Sequence, residues 1–157
     1  PIDGGAVQGN ETVEFLVSAN PGVEPRSLAK VASGGELSRI SLAIQVIASA
    51  ASAVPSMIFD EVDAGIGGAA AVAVGRSLAA IGAGHQVLVV THLAQVASWA
   101  DSHVVVDKVV ARSTTTTTIA TVIDEDRITE LARMLSGTPE SSTARQHARE
   151  LLDSAKA

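Results

Sequence analysis

The chain has 157 residues, a formal net charge of −6 and no cysteine, and 46% of its residues are hydrophobic. This length suffices for one domain with a hydrophobic core, and the composition excludes a disordered chain. Without cysteine there can be no disulfide, zinc finger or thiol nucleophile, which fits a cytoplasmic location. The acidic balance and the three aromatic residues do not favour DNA binding through a basic patch or stacked bases. No apolar run is continuous enough for a membrane helix.

Strands and helices alternate in the middle of the chain, which predicts an α/β fold with a largely parallel sheet flanked by helices. The predicted elements are a strand over 12–18, a turn at 20–22, a helix over 35–53, a strand over 57–59, a helix over 69–81, a strand over 86–90, a short helix over 93–100, a hairpin of 103–110 with 114–123, and helices over 126–135 and 140–155. The 3.6-residue periodicity of the first helix predicts one buried face, made of Leu37, Ile40, Ile44 and Ile47.

The first candidate motif, Ser33-Gly34-Gly35-Glu36, lies where a loop becomes a helix. Free N–H groups, the helix dipole and two glycines make such a place suitable for a phosphate oxygen, with the Ser33 hydroxyl as an additional donor. The same four residues also fit a capping box, in which Ser33 and Glu36 only close the helix end. Taken alone, the motif favours the capping box.

The second motif is the apolar run that ends in Asp60 and Glu61. An acid at a strand end can hold Mg²⁺ through water in phosphate-transferring sites, and a neighbouring acid can deprotonate an attacking water. The alternative is a pair of acids that are simply solvated. The uniformly apolar residues before them favour the functional interpretation.

The third motif places His92 after the apolar strand over 86–90, where an imidazole can bind a terminal phosphate oxygen or the attacking water. A lone histidine more often bonds to nearby backbone. However, two parallel strands joined by a helix bring their carboxyl ends to one sheet edge. We therefore expect Asp60, Glu61 and His92 to converge on one crevice.

In this order and spacing, the three motifs resemble those of ABC-type ATPases: the signature motif, the Walker B strand, and the switch histidine, with Asp63 where the D-loop aspartate falls. The segments over 15–22, 28–39, 58–68, 91–101 and 130–137 resemble, more narrowly, the C-terminal part of the RecN family of SMC-like bacterial DNA repair proteins. The resemblance extends from about Val13 to Leu152.

A Gly-x-x-x-x-Gly-Lys-Ser/Thr motif, which cradles phosphates, does not occur in the sequence, nor does a long heptad repeat. The resemblance implies that residues 1–157 form a single C-terminal half-head, whose Walker A half and coiled coil lie elsewhere in a longer polypeptide. We therefore expect the chain alone to bind ATP poorly, and to leave an apolar sheet edge or face uncovered.

For the full protein, the resemblance implies ATP and Mg²⁺ as cofactors and two heads that close on ATP during DNA double-strand break repair and recombination. Asp60 would bind Mg²⁺, Glu61 and His92 would be catalytic, and Asp63 would couple the two sites. The signature residues Ser33, Gly34, Gly35 and Glu36 would contact nucleotide bound by the second copy.

The resemblance also implies three partners: the N-terminal half-head, a second head, and DNA through the full protein. A non-catalytic ABC-like dimerisation module is the alternative function. A transporter ATPase is disfavoured, because 1–30 contains neither a Walker A motif nor a glutamine loop.

Overall fold

The computed structural model describes residues 9, 11, 13–18, 21–30, 34–49, 54–111 and 114–156. Their elements, in chain order, are β1 (Leu16–Val17), β2 (Arg26–Ser27), a 3-10 turn (Leu28–Lys30), α1 (Gly34–Ser49), β3 (Ser56–Asp60), α2 (Gly68–Gly82), β4 (Gln86–Val90), α3 (Ala94–Ala97), β5 (His103–Ala111), β6 (Thr114–Val122), α4 (Asp124–Ser136) and α5 (Ser142–Lys156).

In the described ranges the strands form three two-stranded sheets. β3 pairs in parallel with β4, whereas β1–β2 and the predicted hairpin β5–β6 are antiparallel. The mixed α/β class, the hairpin and the two C-terminal helices are confirmed, whereas the described residues contain one parallel strand pair in place of the predicted, largely parallel sheet. Helix α2 connects β3 to β4, which is the crossover that parallel pairing requires.

The apolar runs over 57–59 and 86–90 predict strands that are buried on both faces, but among the described residues the β3–β4 sheet is covered on one face only. Phe59 points into the core, but its neighbour Ile58 is 74% exposed. Ile58 pairs with Leu88, and both lie with Val90 (62% exposed) on the outer face. The predicted uncovered apolar face is therefore present in the described part of the chain.

Helix α1 buries a different face from the one predicted. Leu42 is 4% exposed and Val46 packs against the same core, whereas Ile47, in the predicted stripe, is 79% exposed. Apolar residues lie on more than one side of this helix, so periodicity alone could not select the buried side. The predicted end of the helix, 50–53, lies outside the described residues.

Two hydrophobic clusters hold the fold together. The larger one joins α1, β3, α2 and α3 and contains Leu42, Phe59, Val62, Ala71, Val74, Leu78, Ile81 and Val96. The smaller one joins α3, α4 and α5 around Leu131. Arg127 of α4 strengthens this second junction, since its Nη2 donates to the carbonyl oxygens of Ala97, Ser98 and Ala100 at 3.2, 3.2 and 2.6 Å. These bonds satisfy the end of α3 and tie α3 to the C-terminal helix pair.

Several elements differ from their predicted bounds. β1 covers only Leu16–Val17 of the predicted 12–18, because its partner β2 has two residues. Helix α3 is one turn, whereas α4 begins earlier than predicted. Gly137 ends α4 with a left-handed φ of 76°, as the sequence predicts for a C-cap. In the described ranges, no helix is long and apolar enough to cross a membrane.

An ion-pair network joins α4 to α5. The exposed Glu125 carboxylate accepts hydrogen bonds from Arg145 Nη2 at 2.7 Å and from Arg149 Nη2 at 3.2 Å. The hydrogen bond from Arg149, followed by the charges of both arginines, lowers the pKa of Glu125. A carboxyl with a lowered folded-state pKa stabilises above its unfolded-state pKa, and this contribution is lost as pH falls through the folded-state pKa.

We expect Glu125→Gln to lower the thermal midpoint of the chain slightly at neutral pH and to have no effect in acid, below the folded-state pKa of Glu125. The effect is small because the pair is solvated and screened by salt. Midpoints measured by circular dichroism against pH check this, with Glu140→Gln, an exposed acid outside the network, as the control. A difference between wild type and Glu125→Gln that grows on acidification would contradict it.

Candidate active site

The parallel register of β3 and β4 brings the predicted site segments to one edge of the sheet. Asp60, the last residue of β3, pairs with Val90, the last residue of β4. Glu61 and His92 therefore belong to the two loops that leave this same edge. The carboxyl ends of parallel strands are where α/β proteins place their ligands.

The loop after β3 begins with a strained residue. Glu61 is exposed and has a φ of 55°, which L residues with long side chains rarely adopt. Its carbonyl oxygen accepts a hydrogen bond from the Ala64 N–H at 3.1 Å. This turn leaves the carboxyl groups of Asp60 and Glu61 at the surface and directs Val62 and Asp63 inward.

Asp63 is 1% exposed, and its carboxylate bonds to the loop after β4. Its Oδ2 accepts hydrogen bonds from the Thr91 hydroxyl and, at 3.2 Å, from the His92 backbone N–H. The Nδ1 atom of the His92 ring lies 3.4 Å from the same oxygen. The His92 side chain itself is 73% exposed, so the imidazole is presented at the surface above a buried carboxylate.

Thr91 is a site residue that none of the three sequence motifs indicates. Its Oγ1 donates to Asp63 and accepts a hydrogen bond from the Leu93 N–H at 3.0 Å. A hydroxyl immediately before the strand-end histidine was the available signal, but its bonding partner is 28 residues away in the chain.

The signature segment is described in part. Gly34 and Gly35 are the first two residues of α1, whereas Ser33 and the side chain of Glu36 lie outside what the structure describes. Leu37, in the first turn of α1, lines a groove of about 300 Å³ together with Asp60. The beginning of α1 and the end of β3 are therefore neighbours.

The chemistry of these donors fits Mg²⁺ held together with phosphate. No group of three or more His, Asp or Glu side chains forms a self-sufficient metal site among the described residues. Mg²⁺ usually keeps several waters and takes one or two carboxylates plus substrate phosphates. The exposed Asp60 carboxylate at the strand end fits that role.

Curated proteins similar to this chain are DNA repair proteins. The protein named DNA repair protein RecN from Streptomyces coelicolor is 49% identical over 149 residues, which is 95% of this chain and 26% of that protein. The proteins of the same name from Mycobacterium leprae and Xylella fastidiosa are 50% and 51% identical over 94% and 92% of the chain. The chain spans about a quarter of the length of these relatives. No family model matches the chain.

The fold matches that of a solved SMC ATPase. That structure belongs to a study of ATP-driven dimerisation and DNA-stimulated activation of SMC ATPases. The match has a TM-score of 0.57 at 20% identity and covers 77% of this chain and 80% of the other. The resemblance to RecN found in the sequence motifs, and the SMC-type fold that it implies, are both confirmed.

Proposed function

We propose that this chain, similar to RecN over nearly all of its length, is the C-terminal half of the ATPase head of an SMC-like DNA repair protein. In the full-length protein it would take part in ATP-driven head dimerisation and ATP hydrolysis during repair and recombination. The observation that carries the proposal is the shared sheet edge: Asp60 pairs with Val90, and the Asp63–His92 contact joins the two loops that follow.

Asp60 and Glu61 are both exposed, and their positions would give them different roles. Asp60, at the end of the strand and on the groove beside α1, would hold Mg²⁺ through water. The cation, when bound, supplies charge that neutralises the phosphates. Glu61, held one residue further by its left-handed turn, would orient the attacking water and accept its proton.

His92 would contact the terminal phosphate, because its side chain is exposed while its backbone is held from below by Asp63. Ser33, Gly34, Gly35 and Glu36 would contact the nucleotide of a second copy, since two of them begin α1 and a helix N-terminus favours anions. ATP would then hold the two heads together, and hydrolysis would release them.

The uncovered face of the β3–β4 sheet supports an N-terminal half-head as a partner. Ile58, Leu88 and Val90 are exposed there, and apolar sheet faces of soluble proteins are normally covered. We propose that the partner contributes the missing strands and the phosphate-cradling loop. DNA would be bound by the full protein, since this chain carries a net charge of −6.

The chain alone should bind ATP more weakly than a Kd of about 1 mM, because Asp60 and Glu61 repel a triphosphate and no phosphate-cradling lysine motif compensates. Calorimetric titration with Mg²⁺ and ATP measures this, with the full-length protein as the positive control. Micromolar affinity of the chain alone would contradict the proposal that the ATP site is shared between this chain and an N-terminal half-head. An inactive full-length protein would instead favour the non-catalytic dimerisation module.

A further inference from the structure

The buried carboxylate of Asp63 lies beneath the exposed imidazole of His92, and all of its hydrogen bonds that the structure describes go to residues 91–92. Burying a carboxylate is costly unless donors satisfy it. Here the Thr91 hydroxyl and the His92 backbone N–H are those donors, and the His92 ring lies 3.4 Å away. Asp63 lies in the loop that follows Asp60 and Glu61, and the cost of burying its carboxylate there indicates a role at the site.

The hydrogen bonds form a short chain that holds the loop between β4 and α3. Asp63 accepts from Thr91, and Thr91 accepts from the Leu93 N–H at 3.0 Å. Leu93 packs against the larger core cluster and caps α3. The backbone of His92 is thereby held on both sides, by the carboxylate and by the start of α3.

The same carboxylate lies at ion-pair distance from the imidazole. A carboxylate only accepts hydrogen bonds, so it favours the neutral ring form that carries its proton on Nδ1, the atom 3.4 Å from Asp63 Oδ2. In this tautomer Nε2 carries the lone pair and can accept a hydrogen bond from the attacking water, whereas contact with a terminal phosphate oxygen would require a proton on Nε2 as well. Without Asp63, the ring of a solvated histidine would be free to rotate and to exchange tautomers.

We propose that Asp63 is a positioning residue for His92: it acts within its own chain, through Thr91 and the ring Nδ1, and does not touch nucleotide. This inference rests on the proposed function, because it assigns the task of His92 to ATP hydrolysis. The role in coupling two sites that the motif resemblance implies for Asp63 stays a separate prediction.

A double-mutant cycle in the full-length protein tests the proposal. Steady-state ATP hydrolysis is measured for Asp63→Ala, His92→Ala and the double variant, with Asp63→Asn as the milder substitution should Asp63→Ala fail to fold. We expect each single variant to lower kcat about 10-fold or more with little change in KM, and the double variant to equal His92→Ala within about 3-fold. The proposal would be overturned if the losses of the two single variants multiply in the double variant. A higher KM for the double variant than for His92→Ala would also overturn it.

Thr91 offers a matched pair of controls. Thr91→Ser keeps the hydroxyl and should retain activity near wild type, whereas the nearly isosteric Thr91→Val removes the link and should lower kcat in the same direction as Asp63→Ala. Equal activities of Thr91→Ser and Thr91→Val would contradict a role for this hydrogen bond.

A spectroscopic readout separates this proposal from the proposed function. In ¹⁵N-histidine-labelled full-length protein at about pH 8, where an ordinary imidazole is neutral, magic-angle-spinning NMR identifies the protonated ring nitrogen. We expect His92 to carry its proton on Nδ1 in the wild type and to lose this preference in Asp63→Ala, while the exposed His147 is unchanged. If the wild type fails to hydrolyse ATP but the His92 tautomer still depends on Asp63, the proposed function fails and the positioning contact stands. An unaltered tautomer would refute the positioning contact itself.

Discussion

Glu61→Gln in the full-length protein should lower the rate of ATP hydrolysis about 100-fold or more and trap a nucleotide-bound dimer. Glutamine keeps the length of the side chain but cannot accept the proton of the attacking water, and removal of a general base typically has an effect of this size. Phosphate release measures the rate, and light scattering after size exclusion, with and without ATP, measures the dimer.

Asp124→Asn is a matched control for this experiment. Asp124 is the other non-glycine residue with a positive φ that the structure describes (46°), and it lies at the start of α4. It therefore reports the effect of neutralising an acid at a left-handed position away from the site. Hydrolysis at the wild-type rate by Glu61→Gln would remove Glu61 from the mechanism, and with it the main chemical argument for an ATPase.

Gly75→Ala should destabilise the chain by about 1–3 kcal/mol through overpacking. Gly75 is buried on α2, and an added methyl group would collide with the indole ring of Trp99 and lie 3.1 Å from the carbonyl oxygen of Gln95. Arg76 lies over the indole ring, 5.4 Å from its centroid, so a shift of the ring would also disturb this cation–π contact. The substitution would therefore push α3 away from α2 and disturb the loop that carries His92.

Gly82→Ala provides the comparison for Gly75→Ala. Gly82 is also in α2, but an added Cβ there meets nothing within 4 Å, so alanine should be neutral or slightly stabilising. Thermal unfolding of both variants checks the prediction, at roughly 2–4 °C for each kcal/mol. Gly75→Ala at or above the wild-type midpoint would show that Trp99 moves aside at no cost.

The local sequence predicted the elements that carry strong patterns. The strand at Gln86–Val90 was predicted with its observed bounds, and the helix at 69–81 differs from α2 by one residue at each end. Apolar runs bounded by glycine or polar residues specify these segments by themselves. The buried side of α1 was wrongly predicted. Whether Leu42 or Ile47 is buried depends on how α1 packs against the larger hydrophobic cluster, which the helix sequence does not specify.

The same division holds for the candidate site. Asp60, Glu61 and His92 were found from strand ends and motif order, and their meeting at one sheet edge was expected because two parallel strands joined by a helix end on the same side. Burial of Asp63 beneath His92 was not predictable, since an acid three residues after a strand is usually solvated. Its partner Thr91 is identified only by a contact that spans 28 residues.

By itself, then, the amino-acid order determined the α/β class, the family resemblance and the identity of the acids and the histidine at the strand ends, because these depend on short-range patterns of polarity and glycine. Only the tertiary structure decided which face of α1 is buried, which side chains of β3–β4 lie on the uncovered face, and that the Asp63 carboxylate bonds to Thr91 and His92. These features depend on packing between segments that are distant in the chain, and local sequence patterns do not specify that packing.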